Sequence, residues 1–382
     1  MISYSKILLA LALFFIAGVT AASFLAIPRW LFLELFLLGL FYILVFRRYR
    51  AVVVFGFCLM VLAVGLWRTE AALLARPMAR PVNKAKIERI KVIEQNLSSP
   101  QAELLSGVLF GSQDNLDYEW KKKMSLAGVR HITAVSGTHI ILLSQILLWL
   151  GVALGLYRQR AAAVAIFLVW AYVFLVGWPA SAIRAGVMAS LLLTANILGR
   201  PNRARRTVIL AGAVMLAVNP SLLRFSIGFQ LSFLATLGLI YFAPLTQSWL
   251  AVKFKFLRAG NLSQLLAINF SAWLFTLPLS VYYFGYFSPV AIVSNFLVAP
   301  IIPLIMILGF LMLAAGLIYQ PLAMIIAWPL NLLLSYFLQV IDWFSPAALA
   351  NWQLYFSKGI LAVCYLGLAF WTWRWRESET FL

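Results

Sequence analysis

The segment Arg130-His131-Ile132-Thr133-Ala134-Val135-Ser136-Gly137-Thr138-His139 holds both histidines of the chain beside an arginine, two threonines and a serine. In a helix, this separation sets His131 and His139 roughly 12 Å apart along the axis and about 80° apart around it. They can then line one path, but they lie too far apart to share a metal ion. Ser136 and His139 are neighbours on one face. The alternative reading makes Ala134, Ser136 and Gly137 small residues that let helices approach closely, with the histidines partnered in the core.

Three further clusters follow. Pro179-Ala180-Ser181-Ala182-Ile183-Arg184-Ala185-Gly186 opens with proline at a helix start and puts Arg184 about one turn in. A fixed cation beside a helix N-terminus suits a phosphate, whereas the alternative is a side chain that snorkels to lipid headgroups. Gly228-Phe229-Gln230-Leu231-Ser232-Phe233 sets Gln230 and Ser232 early in a helix, and Ser294-Asn295 precedes Pro300 and Pro303. Both also fit interhelical hydrogen bonding worth roughly 0.6 to 2 kcal/mol per contact. Polar side chains are costly inside a membrane, so His131, Ser136, His139, Arg184, Gln230, Ser232 and Asn295 are the candidates to line or shape a polar path. Gly137 and Gly186 are expected to permit close helix approach. Cys58 and Cys364 lie in apolar runs, so neither a disulfide framework nor a metal-ligand set is expected.

The elements that must position these residues are membrane helices. The 382 residues are 64% hydrophobic against 11% charged, which excludes a set of soluble domains. One span takes about 20 residues, so the chain has room for roughly 10 to 12 helices in an all-α polytopic transmembrane bundle. Apolar runs near 7–27, 30–46, 51–67, 131–157, 161–177, 180–198, 207–219, 225–245, 264–285, 289–316, 322–341 and 359–375 mark them. The short run at 207–219 and the long one at 289–316, with its two prolines, are candidates for half-helices or re-entrant pieces. The first run reads as a retained helix, because about 21 apolar residues exceed the core of a signal peptide. Three parts result: N-terminal transmembrane helices over 1–67, a polar external segment with amphipathic helices over 68–130, and a transmembrane domain over 131–382.

The net charge of +19 invites a nucleic-acid reading, yet its distribution weakens that argument. With the N-terminus inside and the runs alternating, fifteen basic residues fall in short inside loops, so both termini are expected in the cytoplasm. Eleven more sit in 68–130 beside seven acids, and a long segment obeys the positive-inside rule only weakly. Within that segment, Ile87, Ile90, Ile93 and Leu97 share one helical face, and Ser99-Pro100 starts a second helix that ends near Phe110. Such helices lie on a membrane surface, or form a solvated connector packed on the bundle.

Taken together, Gly128-Val129-Arg130-His131 with Ala134-Val135-Ser136-Gly137-Thr138-His139, Ser181-Ala182-Ile183-Arg184-Ala185, and Gly228-Phe229-Gln230-Leu231-Ser232-Phe233 resemble the motifs of the ComEC family. These are bacterial competence proteins whose membrane domain is held to conduct a single DNA strand into the cytoplasm. The motifs occur in the family's order, and the resemblance runs from about Leu104 to Trp375. It implies a multi-pass channel of the bacterial inner (cytoplasmic) membrane that is not an enzyme and needs no cofactor. Its implied partners are single-stranded DNA, membrane lipids, and a separate DNA-binding receptor, nuclease and motor ATPase. The chain departs from the family at Thr138, where an aliphatic residue is common. Full-length members also carry an OB-fold and often a metallo-β-lactamase-like domain. Residues 68–130 are short for the former, and the sequence holds no His/Asp metal motif for the latter. No G-x-x-x-x-G-K-[ST] is present, so a separate motor or a gradient must do the pulling.

Two other function classes remain open at this level. One is a transporter of another solute or of lipid. The other is an intramembrane serine hydrolase, because Ala134-Val135-Ser136-Gly137 is one residue short of the Gly-x-Ser-Gly that looks like a rhomboid protease nucleophile. That chemistry needs a base from a distant helix, and no histidine follows His139.

Overall fold

The computed structural model describes residues 4–25, 27–74, 84–112, 116–133, 137–197, 204–254, 262–346 and 352–379. Among the described residues, six helices are long and apolar enough to cross a membrane: Lys6–Phe24, Arg50–Ala72, Arg158–Val176, Ser263–Phe284, Ala291–Ile318 and Gln320–Phe344. Ile227–Tyr241 and Ala243–Lys253, bent by 48° at their joint, make a seventh if read as one broken span. Trp30–Val45, Gln101–Phe110, His139–Ala153 and Ser181–Thr194 are shorter apolar helices. The chain is thus an all-α polytopic bundle, and the apolar runs of the sequence divide into full spans, one bent pair and shorter pieces. Two compact units are interleaved along it.

The first unit comprises Met1–Pro81, Ile146–Val169 and Ala180–Gln230. Helices α1 (Tyr4–Phe24), α2 (Arg29–Val45) and α3 (Arg50–Leu74) form a layer with α3 in the middle. Glycine placement explains why. Gly56 and Gly65 are nine residues apart, which puts them on opposite faces of α3. A methyl group on Gly56 would come within 2.7 Å of the Gly39 carbonyl of α2, and one on Gly65 within 2.7 Å of the Phe15 carbonyl of α1. Lipid tails are as apolar as leucine, so backbone approach of this kind, rather than hydrophobic exclusion, holds membrane helices together. Helices α9 (Ala180–Ile197) and α10 (Ala204–Val218) pack on each other, and α10 also packs on α1.

Arginines close the helix ends of this unit. Arg68 donates to the Val218 carbonyl at the end of α10 (2.9 Å), and Arg224 to the Ser23 carbonyl near the end of α1 (2.9 Å). A helix C-terminus leaves carbonyls unsatisfied and carries partial negative charge, so a cation serves both needs. These bonds gather the C-terminal ends of α1, α3 and α10 at one end of the unit.

The second unit comprises Val82–Gln145, Trp170–Pro179 and Leu231–Leu382. Its core surrounds α5 (Gln101–Phe110), in which Leu104, Leu105, Val108, Leu109 and Phe110 are fully buried. Around α5 stand α16 (Ile302–Ile318) and α17 (Gln320–Phe344), an antiparallel pair joined through Tyr319. On α16, Gly309 leaves room for Leu105 and Leu109 of α5. In the 289–316 run, α15 (Ala291–Val298) passes through a 3₁₀ turn over Ala299–Ile301 into α16, and the three together make the single span Ala291–Ile318. Pro300 and Pro303 supply no N–H to the ladder, which accounts for the tightened turn.

Three contacts set the course of the segment that contains α5. Gln320 donates to Asn96, at the end of α4 (Lys84–Asn96), at 3.1 Å. Gln101 donates to Ser335 at 3.4 Å, and Lys123 of α6 (Tyr118–Leu126) pairs with Asp342 at 2.7 Å. Residues 96, 101 and 123 therefore meet positions 320, 335 and 342 in order. At 1.5 Å per residue, that stretch of α17 is about 33 Å long, close to the thickness of a bilayer core. On α4 the sequence pattern holds, with Ile90, Ile93 and Leu97 buried and Ile87 about half exposed.

The last helix, α18 (Lys358–Glu379), runs beside α14 (Leu262–Phe284). An antiparallel pairing of two-residue strands, Tyr286–Phe287 with Trp352–Gln353, ties the loops at their joined ends. At the bend between α12 (Ile227–Tyr241) and α13 (Ala243–Lys253), Phe242 is buried against the rings of Phe270, Phe275, Trp371 and Trp375.

Candidate functional site

The first motif begins at the end of α6. Gly128 has φ +73, its N–H donates to Ser125, and the Val129 N–H donates to Met124. This is a Schellman stop, which needs a residue free to adopt the left-handed region. A second reason for glycine is space, since a Cβ on Gly128 would lie 2.3 Å from the Cβ of Ala291 in α15. Three donors approach the same turn from α15 and the loop before it. Ser288 donates to the Leu126 carbonyl, Ser294 to Ala127, and the Asn295 amide to Gly128 at 3.3 Å. The orphan carbonyls of a buried helix end are thereby satisfied by another part of the chain.

From this anchored turn the chain enters a 3₁₀ turn, Arg130–Thr133, which carries His131 on an exposed position. Thr133 closes the turn by donating to the Arg130 carbonyl at 2.9 Å, and its side chain packs over Gly107 of α5. Helix α7 (Gly137–Ala153) follows, with His139 in its first turn and only 2% exposed. Ser136 lies outside the described residues. Gly137 is the first residue of α7.

Arg184 is the fifth residue of α9 and is 6% exposed, with Gly186 buried just beyond it. Before α9 the chain turns through Gly177 (φ +92) and Trp178 (φ +57). Trp178 pays roughly 1 to 2 kcal/mol for a left-handed backbone, and its ring packs against Trp170 and Phe174, with centroids 6.0 and 6.2 Å away.

The third motif is a self-capped corner. Ser226 accepts the Phe229 N–H at the start of α12 (3.2 Å), and Gln230 reaches back to the carbonyls of Leu223 (2.7 Å) and Arg224 (3.2 Å) at the end of the short helix α11 (Leu222–Phe225). Ser232 is half-buried, and its carbonyl accepts the Thr236 hydroxyl at 2.8 Å.

The structure therefore joins Asn295 to the Gly128 turn that precedes His131, within the second unit, which also holds His139 and Ser232. Arg184, Gly186 and Gln230 belong to the first. The amides of Gln230 and Asn295 are spent on backbone carbonyls, so these two side chains position the motifs that surround them. Sequence reasoning passed over Ser226, Ser288 and Tyr172, whose hydroxyl donates to the Leu109 carbonyl at the end of α5. Ser226 was within reach as a serine just before a helix. For the other two, only a tertiary contact reveals the role.

Residues 108–378, most of the chain, match the family described as competence protein. The chain belongs to the competence protein family. The family region begins inside α5 and ends in the last helix, so it contains the Gly128 turn and its three donors, the buried Arg184 and the Gln230 corner. This competence-family chain is similar to ComE operon protein 3 of Bacillus subtilis (strain 168), with 32% identity over 173 residues. That stretch is 45% of the chain and 21% of the relative, so most of the relative's length lies outside the match. No solved structure matches.

Proposed function

We infer that the chain forms the membrane-embedded part of a path that carries single-stranded DNA into a bacterial cytoplasm during DNA uptake. The observation that carries this reading is Arg184, a cation buried near the N-terminus of a helix in an apolar unit. That end of a helix attracts anions, and a permanently charged guanidinium beside it suits a passing phosphate. A small number of cations among hydrogen-bonding side chains favours entry of a polyanion without trapping it, as conduction requires. His131, Ser136, His139 and Ser232 line or shape the path with Arg184, while Gln230 and Asn295 hold its walls. The role is conduction and not catalysis, and a separate receptor, nuclease and motor ATPase supply the other steps.

Charge supports a cytoplasmic-membrane orientation with both termini inside. In the first unit, Arg68 and Arg224 gather three helix ends at one side. The opposite helix ends carry Lys6, Arg47, Arg48, Arg50, Arg205 and Arg206, the richer basic side that the positive-inside rule assigns to the cytoplasm.

The test is a gene deletion assayed for internalised, nuclease-protected DNA, complemented with Arg184→Glu at matched protein level. The deletion is expected to abolish internalisation, and the variant to do so while DNA binding at the cell surface persists. Normal internalisation in the deletion strain would move the substrate to another solute class. Unchanged internalisation in the variant alone would remove Arg184 from the path.

A further inference from the structure

Helix α2 packs chiefly on α3 and turns its other flank away from the rest of its unit. On that flank Trp30, Leu33, Leu37, Phe41 and Leu44 are each more than half exposed. Trp30, Glu34, Leu37, Phe41 and Leu44 follow one another at intervals of four, three, four and three residues, the stripe along which two helices pack knobs into holes. An apolar stripe facing acyl chains is ordinary for a membrane helix. Glu34 is not.

Glu34 is exposed, stands among Leu33, Leu37 and Leu38, and lies about 7.5 Å along the axis from the first residue of α2. Among the described residues no ion pair or hydrogen bond engages its carboxylate. A carboxylate directed at lipid is costly, and membrane helices place acids against cations or within a bundle. Beside the stripe, a groove of about 570 Å³ opens between α2 and α3, lined by Phe32, Leu33, Phe36, Val64, Trp67 and Glu70 among others. Aromatic side chains and Glu70 thus line the surface that continues from Leu33.

We propose that this face of α2 docks a transmembrane helix of a separate membrane protein, one that carries a lysine or arginine at the depth of Glu34. Charge complementarity selects the occupant. A second copy of the chain, paired through this stripe about an axis normal to the membrane, would set Glu34 against Glu34 at equal depth. A foreign helix with a cation neutralises the carboxylate and fixes its own register, as a single polar seam position does in helix pairs.

The test uses the full chain in its native membrane, with a photo-crosslinking residue in place of Leu37 or Phe41 and, as a control, in place of Leu66 of α3, which is buried away from the groove. The expected adduct forms from 37 and 41 only and maps to a transmembrane helix of another protein that contains a lysine or arginine. Glu34→Lys should lower its yield at least tenfold, the nearly isosteric Glu34→Gln severalfold, and exchange of the partner's cation for glutamate should restore the yield in Glu34→Lys. The proposal is overturned by adducts with lipid alone, with a second copy, or with a helix lacking a basic residue. Yields that stay the same in both variants overturn it too, and Glu34→Gln keeps that outcome readable if the charge reversal impairs insertion.

Discussion

Replacing Gly128 with alanine tests the idea that the first motif is built on a helix stop pressed against α15. Three glycines end helices in the same way: Gly128 after α6, Gly155 after α7 and Gly177 after α8 (Arg158–Val176), with φ of +73, +85 and +92. In each, the left-handed conformation costs an alanine roughly 1 to 2 kcal/mol. Space separates them. A Cβ at Gly155 or Gly177 meets nothing within 4 Å, whereas at Gly128 it lies 2.3 Å from the Ala291 Cβ and 3.0 Å from the Ala291 Cα. Backbone cannot swing aside as a side chain does, so α15 must move, at a further cost of about 1 to 3 kcal/mol. That movement also pulls on the bonds from Ser294 and Asn295. Gly155→Ala should therefore cost about 1 to 2 kcal/mol and Gly128→Ala about 2 to 5 kcal/mol. The measurement is resistance of the detergent-solubilised full chain to SDS unfolding, read by size-exclusion of a fluorescent fusion. A Gly128→Ala variant no weaker than Gly155→Ala would refute the packing argument, even if both were destabilised.

Ser294→Ala leaves the buried Ala127 carbonyl without its donor and should cost about 1 to 3 kcal/mol in the same assay. A loss equal to that of a surface serine such as Ser248 would count against the cap. In a chain without Cys58 and Cys364, Lys91→Cys on α4 and Lys122→Cys on α6 should react with a membrane-impermeant thiol reagent from opposite sides. The expectation follows from α4 meeting the start of α17 and α6 its end, and labelling of both from one side would contradict it. Phe242→Ala removes the ring at the bend between α12 and α13 and should cost about 3 to 5 kcal/mol. A loss under 1 kcal/mol would show that the bend does not depend on the aromatic cluster.

Helices were legible where one period dominated. The face Ile90, Ile93, Leu97 was readable on α4, as was the start of α5 after Ser99-Pro100. The depth of α5 was not, because a window of about 20 residues averages ten apolar positions with the charged helices on either side. Polar type likewise flagged Gln230 and Asn295, but type does not tell an amide that meets a ligand from one that closes a helix end. That distinction lies in contacts up to 167 residues apart in sequence, such as Asn295 with Gly128. Arg184 was readable from the chain as a cation one turn into a helix, whereas its burial required the fold.

The interleaving of the two units bears on biosynthesis. The chain passes from one unit to the other five times, and the first gains its last stretch only at Gln230. As the polypeptide emerges from the N-terminus, α1, α2 and α3 can assemble at once through their glycine contacts, but α10 reaches α1 only after some 130 further residues have been made. The second unit waits longer, because α5 is synthesised some 200 residues before the α16 and α17 that enclose it. During that interval the buried face of α5 must be sheltered by lipid, by the insertion machinery or by a chaperone. A gene split near residue 130 would therefore yield two fragments that each lack parts of both units, and neither could complete its assembly alone.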